Sequence, residues 1–190
     1  MTDPAPYLTA AEAVDRDNRL ASMASAAIEA EVAAFESIAE RYRGVAFTPR
    51  TSTAVLAGSR PGALVLPDPM VISVESISID GIVVDDDEPV VWPDGRITRP
   101  SGWTGTQIEV TYTHGYQAPP AELLSACTEY VLCVLKAKAS GMSRNTLTEA
   151  FEGGTTRYST PDWSAGRPTG WLEVDRLLNS LPDHRTPGIA

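Results

Sequence analysis

The side chains here with the types for chemistry are two histidines, two cysteines and one run of four carboxylates. Asp85, Asp86, Asp87 and Glu88 could hold a hard cation such as calcium through carboxylate oxygens. The run lacks the alternate ligand spacing and central glycine of a calcium-binding loop, and it reads as a solvated hairpin loop. His114 could act as a base or a ligand. The other histidine, His184, lies in the tail, and no serine or cysteine motif accompanies either, so His114 reads as a structural donor beside the turn glycine Gly115. Cys127 and Cys133 fall on different sides of one predicted helix, where a bridge would be strained. Without a Cys-x-x-Cys or a Cys/His cluster they read as buried thiols, with no zinc site. The glycines of Arg60-Pro61-Gly62 and Glu152-Gly153-Gly154 do not form a phosphate-binding loop. No catalytic residue, metal or cofactor is assigned, and an enzyme is not expected.

His114 belongs to a corner built from a strand, a turn and a helix. Ile108, Val110 and Tyr112 alternate with Glu109, Thr111 and Thr113, the period of a half-buried strand. Gly115 and Tyr116 break it. Pro119 and Pro120 pre-set the backbone for the first helical turn, where Glu122 complements the dipole. Leu123, Leu124, Cys127, Tyr130, Val131, Val134, Leu135 and Lys138 then give a helical face, closed by Gly141. His114, Gly115, Tyr116, Pro119 and Pro120 are therefore structural turn residues.

Four regions frame that corner: 1–44, 45–117, 118–141 and 142–190. In the first, Ala-rich sequence from Thr9 to Arg43 predicts one long helix or two in tandem, opened by a Thr9/Glu12 capping box and stopped at Gly44. Its stripe is Ile28, Val32, Phe35, Ala39 and Tyr42. The second region predicts a small antiparallel β insertion, with a strand over 71–79. Asp80-Gly81 and Asp94-Gly95 are hairpin turns, the latter between Val90–Trp92 and Arg96–Thr98. The third is the second core helix. The fourth opens with a polar, Gly/Ser/Thr/Pro-rich linker over 142–170, and ends in an amphipathic helix that Pro182 terminates. The fold class is α+β: two helices packed together, a β insertion, and an extended C-terminal arm ending in a short helix.

At 190 residues and 43% hydrophobic, the chain can bury one sizeable core or a core with an appendage. No run is apolar enough to span a membrane, the first residues lack a signal-peptide pattern, and synthesis in a cytoplasm is expected. A net charge of −10 argues against a free-standing DNA-binding protein, which normally carries a basic patch. It is compatible with a wall past which duplex DNA slides without sticking.

The turn Tyr112-Thr113-His114-Gly115-Tyr116 with its Pro-Pro helix start closely resembles the head-to-tail adaptor (head completion) proteins of tailed bacteriophages. The helix start at Tyr7-Leu8-Thr9-Ala10-Ala11-Glu12, the run from Leu64 to Gly81, and Gly102-Trp103 ahead of the last strand are similar too, so the resemblance covers about residues 7 to 141. It implies a structural virion protein at the head–tail interface, assembled in the host cytoplasm. It also implies a ring of about twelve subunits beneath the portal protein, extending the DNA channel and presenting a platform to the next connector (stopper) or tail protein. DNA would pass without sequence-specific binding, and no membrane is involved. Asp85, Asp86, Asp87 and Glu88 are then candidates for the lumen. Trp171, Val174, Leu177, Leu178 and Leu181 are candidates for contact with the portal or a neighbouring subunit. A flexible linker of about 29 residues reaches roughly 30 Å, enough to carry that helix off its own subunit; the alternative is packing in cis. The competing function is a small acidic metal-binding or enzymatic module using Asp85 to Glu88 and His114.

Overall fold

The computed structural model describes residues 6–58, 62–84, 89–92, 94–140, 148–151, 154–157 and 166–184. The chain forms two compact units: Val45–Ala118 with His184, and Pro6–Gly44 with Pro119–Asp183. The class is α+β.

The helical unit begins with α1 (Ala10–Arg16), α2 (Ser25–Arg43) and, after the β unit, α3 (Ala121–Ala139). Thr9 caps α1, accepting from Glu12 N–H while the Glu12 carboxylate accepts from Thr9 N–H at 2.8 Å. A single long N-terminal helix is not formed, and the tandem arrangement is. Asp17 leaves helical geometry at φ −144° and caps a 3-10 turn over Asn18–Leu20 by accepting from Arg19 N–H at 3.0 Å. Its carboxylate also grips the Arg19 guanidinium at 2.6–3.0 Å. A short acidic side chain competing with the helical backbone is the physical cause of the break. Gly44, at φ 68°, ends α2 as expected.

Ile28, Val32, Phe35 and Ala39 are buried, while Tyr42 is half-buried and donates from its hydroxyl to Asn179. The α3 helix packs against both α2 and α4 (Leu172–Ser180). That explains why nine of its residues, from Leu123 to Leu135, are buried rather than a narrow stripe. Phe35 and Tyr130 meet with ring centroids 5.4 Å apart. Glu31, which the helical pattern leaves polar, is buried and pairs with Lys138 of α3.

Two features define the arm. Within 142–170, β8 (Thr148–Phe151) and β9 (Gly154–Arg157) pair antiparallel with Phe151 opposite Gly154. The terminal helix also packs in cis on α3, burying Val174 and Leu178 fully. Its N-terminal approach is fixed by the buried Asp175, whose carboxylate accepts from the N–H (3.0 Å) and hydroxyl (2.7 Å) of Thr169.

The β unit contains two sheets. The larger orders β1 (Arg50–Ala57), β7 (Gln107–His114), β3 (Val71–Ile79) and β4 (Ile82–Val83); the smaller orders β2 (Ala63–Val65), β6 (Arg96–Thr98) and β5 (Val90–Val91). All pairings are antiparallel. Asp80 (φ 49°) and Gly81 (φ 82°) make the hairpin turn between β3 and β4. The Asp80 carboxylate also accepts from the N–H groups of Thr106 and Gln107, tying this turn to the start of β7. Between the sheets lie Ala54, Leu64, Leu66, Ile77, Ile97, Trp103, Ile108, Val110 and Tyr112. At roughly 1.5–3 kcal/mol for each large side chain buried, this cluster is the unit's main source of stability.

Candidate functional site

The end of β7 gathers the polar side chains that could have formed a reacting centre. Period-2 alternation turns Tyr112 and His114 inward, and pairing with β1 sets Ser52 opposite Tyr112 and Arg50 opposite His114. His114 Nε2 lies 3.0 Å from Ser52 Oγ and 3.6 Å from Asp68 Oδ2. The Tyr112 hydroxyl donates to the same Asp68 oxygen at 2.5 Å. A serine, a histidine and an aspartate thus meet, but not as a proton relay. A relay needs the serine on one ring nitrogen and the carboxylate on the other. Here both converge on Nε2, and His114 Nδ1 is buried without a hydrogen-bond partner among the described residues.

The electrostatics agree with a structural role. Burial lowers the His114 pKa, Arg50 adds to the depression, and Asp68 opposes it. Burial first, then the bond to Asp68, raises the Tyr112 pKa, so its hydroxyl stays a donor. The network pins the loop bearing Asp68 to β7. Sequence reading found His114 but missed Ser52, Asp68 and the hydroxyl role of Tyr112.

Gly115 turns the chain immediately afterwards. It sits at φ +99°, and a Cβ there would lie 2.7 Å from Thr48 O and 2.8 Å from Ala46 O. Only glycine fits both the backbone conformation and the space. Tyr116 then stacks on Phe47 at 5.2 Å, with the His184 ring edge-on at 6.2 Å. The last described residue thereby returns to the β unit. Pro119 and Pro120 precede α3, with Pro120 as its N-cap residue.

The remaining candidates divide. Asp85, Asp86, Asp87 and Glu88 lie outside the described residues. Among the described residues no group of three or more His, Cys, Asp or Glu is placed to hold a metal, and no helix is long and apolar enough to cross a membrane. In α4, Val174, Leu178 and Leu181 are buried, whereas Trp171 and Leu177 remain half-buried and Leu172 is exposed. Neither cysteine is bridged. Burial pushes the Cys127 thiol up to about 12 and the Cys133 thiol to about 11.

The outward face of the larger sheet is a hydroxyl surface. Thr51 and Thr113 are paired at 3.3 Å, Thr53 and Thr111 at 3.1 Å, and Thr113 donates to Glu75 at 2.7 Å. Beside them stands exposed Glu109, and the outward positions of β1 and β7 carry no lysine or arginine.

Residues 8–162 match the model of a family described as head completion protein. Similar solved structures include a chain of the neck of an empty GTA particle, computed with C6 symmetry. It is 20% identical with a TM-score of 0.61, covering 99% of this chain and 96% of that one. A chain from the neck of the native GTA particle, computed with C12 symmetry, is 17% identical with a TM-score of 0.53, over 99% and 98%. A chain from the virion of the native gene transfer agent particle is 18% identical with a TM-score of 0.61, over 96% and 92%. These likenesses show a shared fold. No protein of curated function matches the chain.

Proposed function

The chain belongs to the head completion protein family, and from that membership we propose that it is a structural, non-catalytic component of the head–tail junction of a phage-like particle. It forms a ring beneath the portal protein, extends the DNA channel, and offers the next connector or tail protein a surface on which to dock. The observation that carries this reading is the family match over residues 8–162. The fold shared with chains of particle necks solved with C6 and C12 symmetry supports the ring.

The chemistry fits such a part. A subunit charge of −10 disfavours phosphate overall, and a sheet face of threonines with Glu75 and Glu109 offers it no cationic partner, which suits a wall that DNA must pass. Asp85, Asp86, Asp87 and Glu88 add carboxylates that could face the lumen. The exposed Leu172 and the half-buried Trp171 and Leu177, which flank the buried face of α4, leave apolar surface for the portal or an adjacent subunit.

Deleting the gene and imaging the particles tests the proposal. Portal-bearing heads without attached tails are expected, and added purified protein should restore joining. Normal tailed particles in the deletion would contradict it.

A further inference from the structure

Eight large apolar side chains are prominently exposed among the described residues, and six of them lie on the edge strands of the β unit or directly beside them. These are Val55, Val65, Ile82, Val83, Val90 and Trp92, between 46% and 73% exposed. They fall in two sets. β1 and β2 are one edge of the larger and smaller sheets, and β4 and β5 are the opposite edges. Residues of β1 and β2 line a common cleft of about 180 Å³, formed by Leu56, Ala57, Ala63, Leu64 and Val65. On the other side β5 lies beside β3, the strand that pairs with β4, and Ile82, Val83, Val90 and Trp92 are the exposed apolar side chains on and beside these two edges, the ridge. Arg96 stacks over Trp92 at 5.6 Å and pairs with Asp94 at 2.7 Å, so its charge is compensated within the ridge.

We propose that the ridge of one subunit seats against the cleft of the next copy of this chain, making the β unit the repeating contact of the ring. The inference rests on the ring reading above and names its interface. The two surfaces lie on opposite edges, so a copy that docks leaves its own free cleft or ridge for another. That is heterologous association, which closes into a ring when the rotation per subunit divides the circle. An isologous dimer would instead present one surface to itself. Size points the same way. A few side chains per edge fall short of the roughly 800 Å² per partner of a stand-alone complex. In a ring each subunit has two such contacts, and attachment to the portal adds a third. The open edges are covered in the process, as exposed edge strands usually are.

The test uses the full chain and portal-bearing heads lacking it, with rings counted by negative-stain microscopy. Val65→Asp and Val83→Lys, each alone, should retain the circular dichroism and melting profile of the unaltered chain. Each should yield at least about tenfold fewer rings, because each buries an unpaired charge. Mixed in equal amounts, the two variants should recover rings, since the new carboxylate at the cleft meets the new ammonium at the ridge. A chain carrying both substitutions should assemble unaided. Undiminished rings from either single variant, or no recovery in the mixture and in the double variant, would overturn the edge assignment while leaving the ring intact. Absence of rings from the unaltered chain would overturn the ring reading, and this interface with it.

Discussion

Leu178 of α4 and Ile82 of β4 are side chains of similar size and hydrophobicity, yet the first is fully buried and the second is 73% exposed. The contrast holds for the two units around them. Among described residues of the helical unit, Ile28, Val32, Phe35, Leu123, Leu132, Val174 and Leu178 are fully enclosed, and Leu172 is its one large apolar side chain left prominently exposed. The β unit buries a cluster of its own but ends both sheets in exposed apolar edges. A helix satisfies its own backbone hydrogen bonds, so a bundle can close on itself. A sheet that does not close into a barrel always ends in strands with unpaired backbone groups, and those edges are natural places for a neighbour. The helices enclose their apolar side chains, and the sheets leave theirs exposed at the edges.

The strongest challenge to that division is truncation after Gly141. Because α4 covers α3 in cis, removing it should cost about 5 kcal/mol, by analogy with core deletions of several buried side chains. That lowers the melting temperature by roughly 10–20 °C for a chain of this size. An unchanged calorimetric midpoint would mean that α4 is a detachable docking device after all.

Within the β unit, Gly115→Ala should destabilise by about 3 kcal/mol, combining left-handed backbone strain with overlap on two carbonyls. Denaturant titration reads this directly. Acidification is a milder probe. The His114 pKa is lowered in the folded chain, so below the ordinary value near 6.5 the unfolded chain binds more protons. The stability from keeping His114 neutral is complete above that pH and is lost as pH falls towards the folded value. His114→Gln should flatten this part of the pH–stability curve. Smallest of all, Val83→Ser should change stability by no more than about 0.5 kcal/mol, as expected for an exposed site. A matching Leu178→Ala should cost about 3 kcal/mol. Equal effects would erase the distinction between the units.

Much of the fold was legible because the relevant signals are local. The capping box at Thr9 and Glu12, the stop at Gly44, the strand over 71–79 and the Asp-Gly hairpin turns each depend on neighbours a few residues away. What escaped was non-local or rested on a single side chain. β1 is recognisable only by its pairing with β7, which sets Ala57 opposite Gln107 and Arg50 opposite His114 across the chain. The helix break at Asp17 depends on one carboxylate reaching Arg19. No spacing announces that Asp68 and Ser52 will meet His114. The terminal helix was foreseen, yet amphipathicity gives only the existence of an apolar face and not which surface covers it.

A reconstruction of the particle's neck, averaged about its rotational axis, tests the central claim most directly. The account predicts a closed ring of this chain at the portal vertex, with the Val65 edge of each subunit against the Val83 edge of the next and DNA passing through the centre. A neck without this chain, or heads that join tails in its absence, would contradict it.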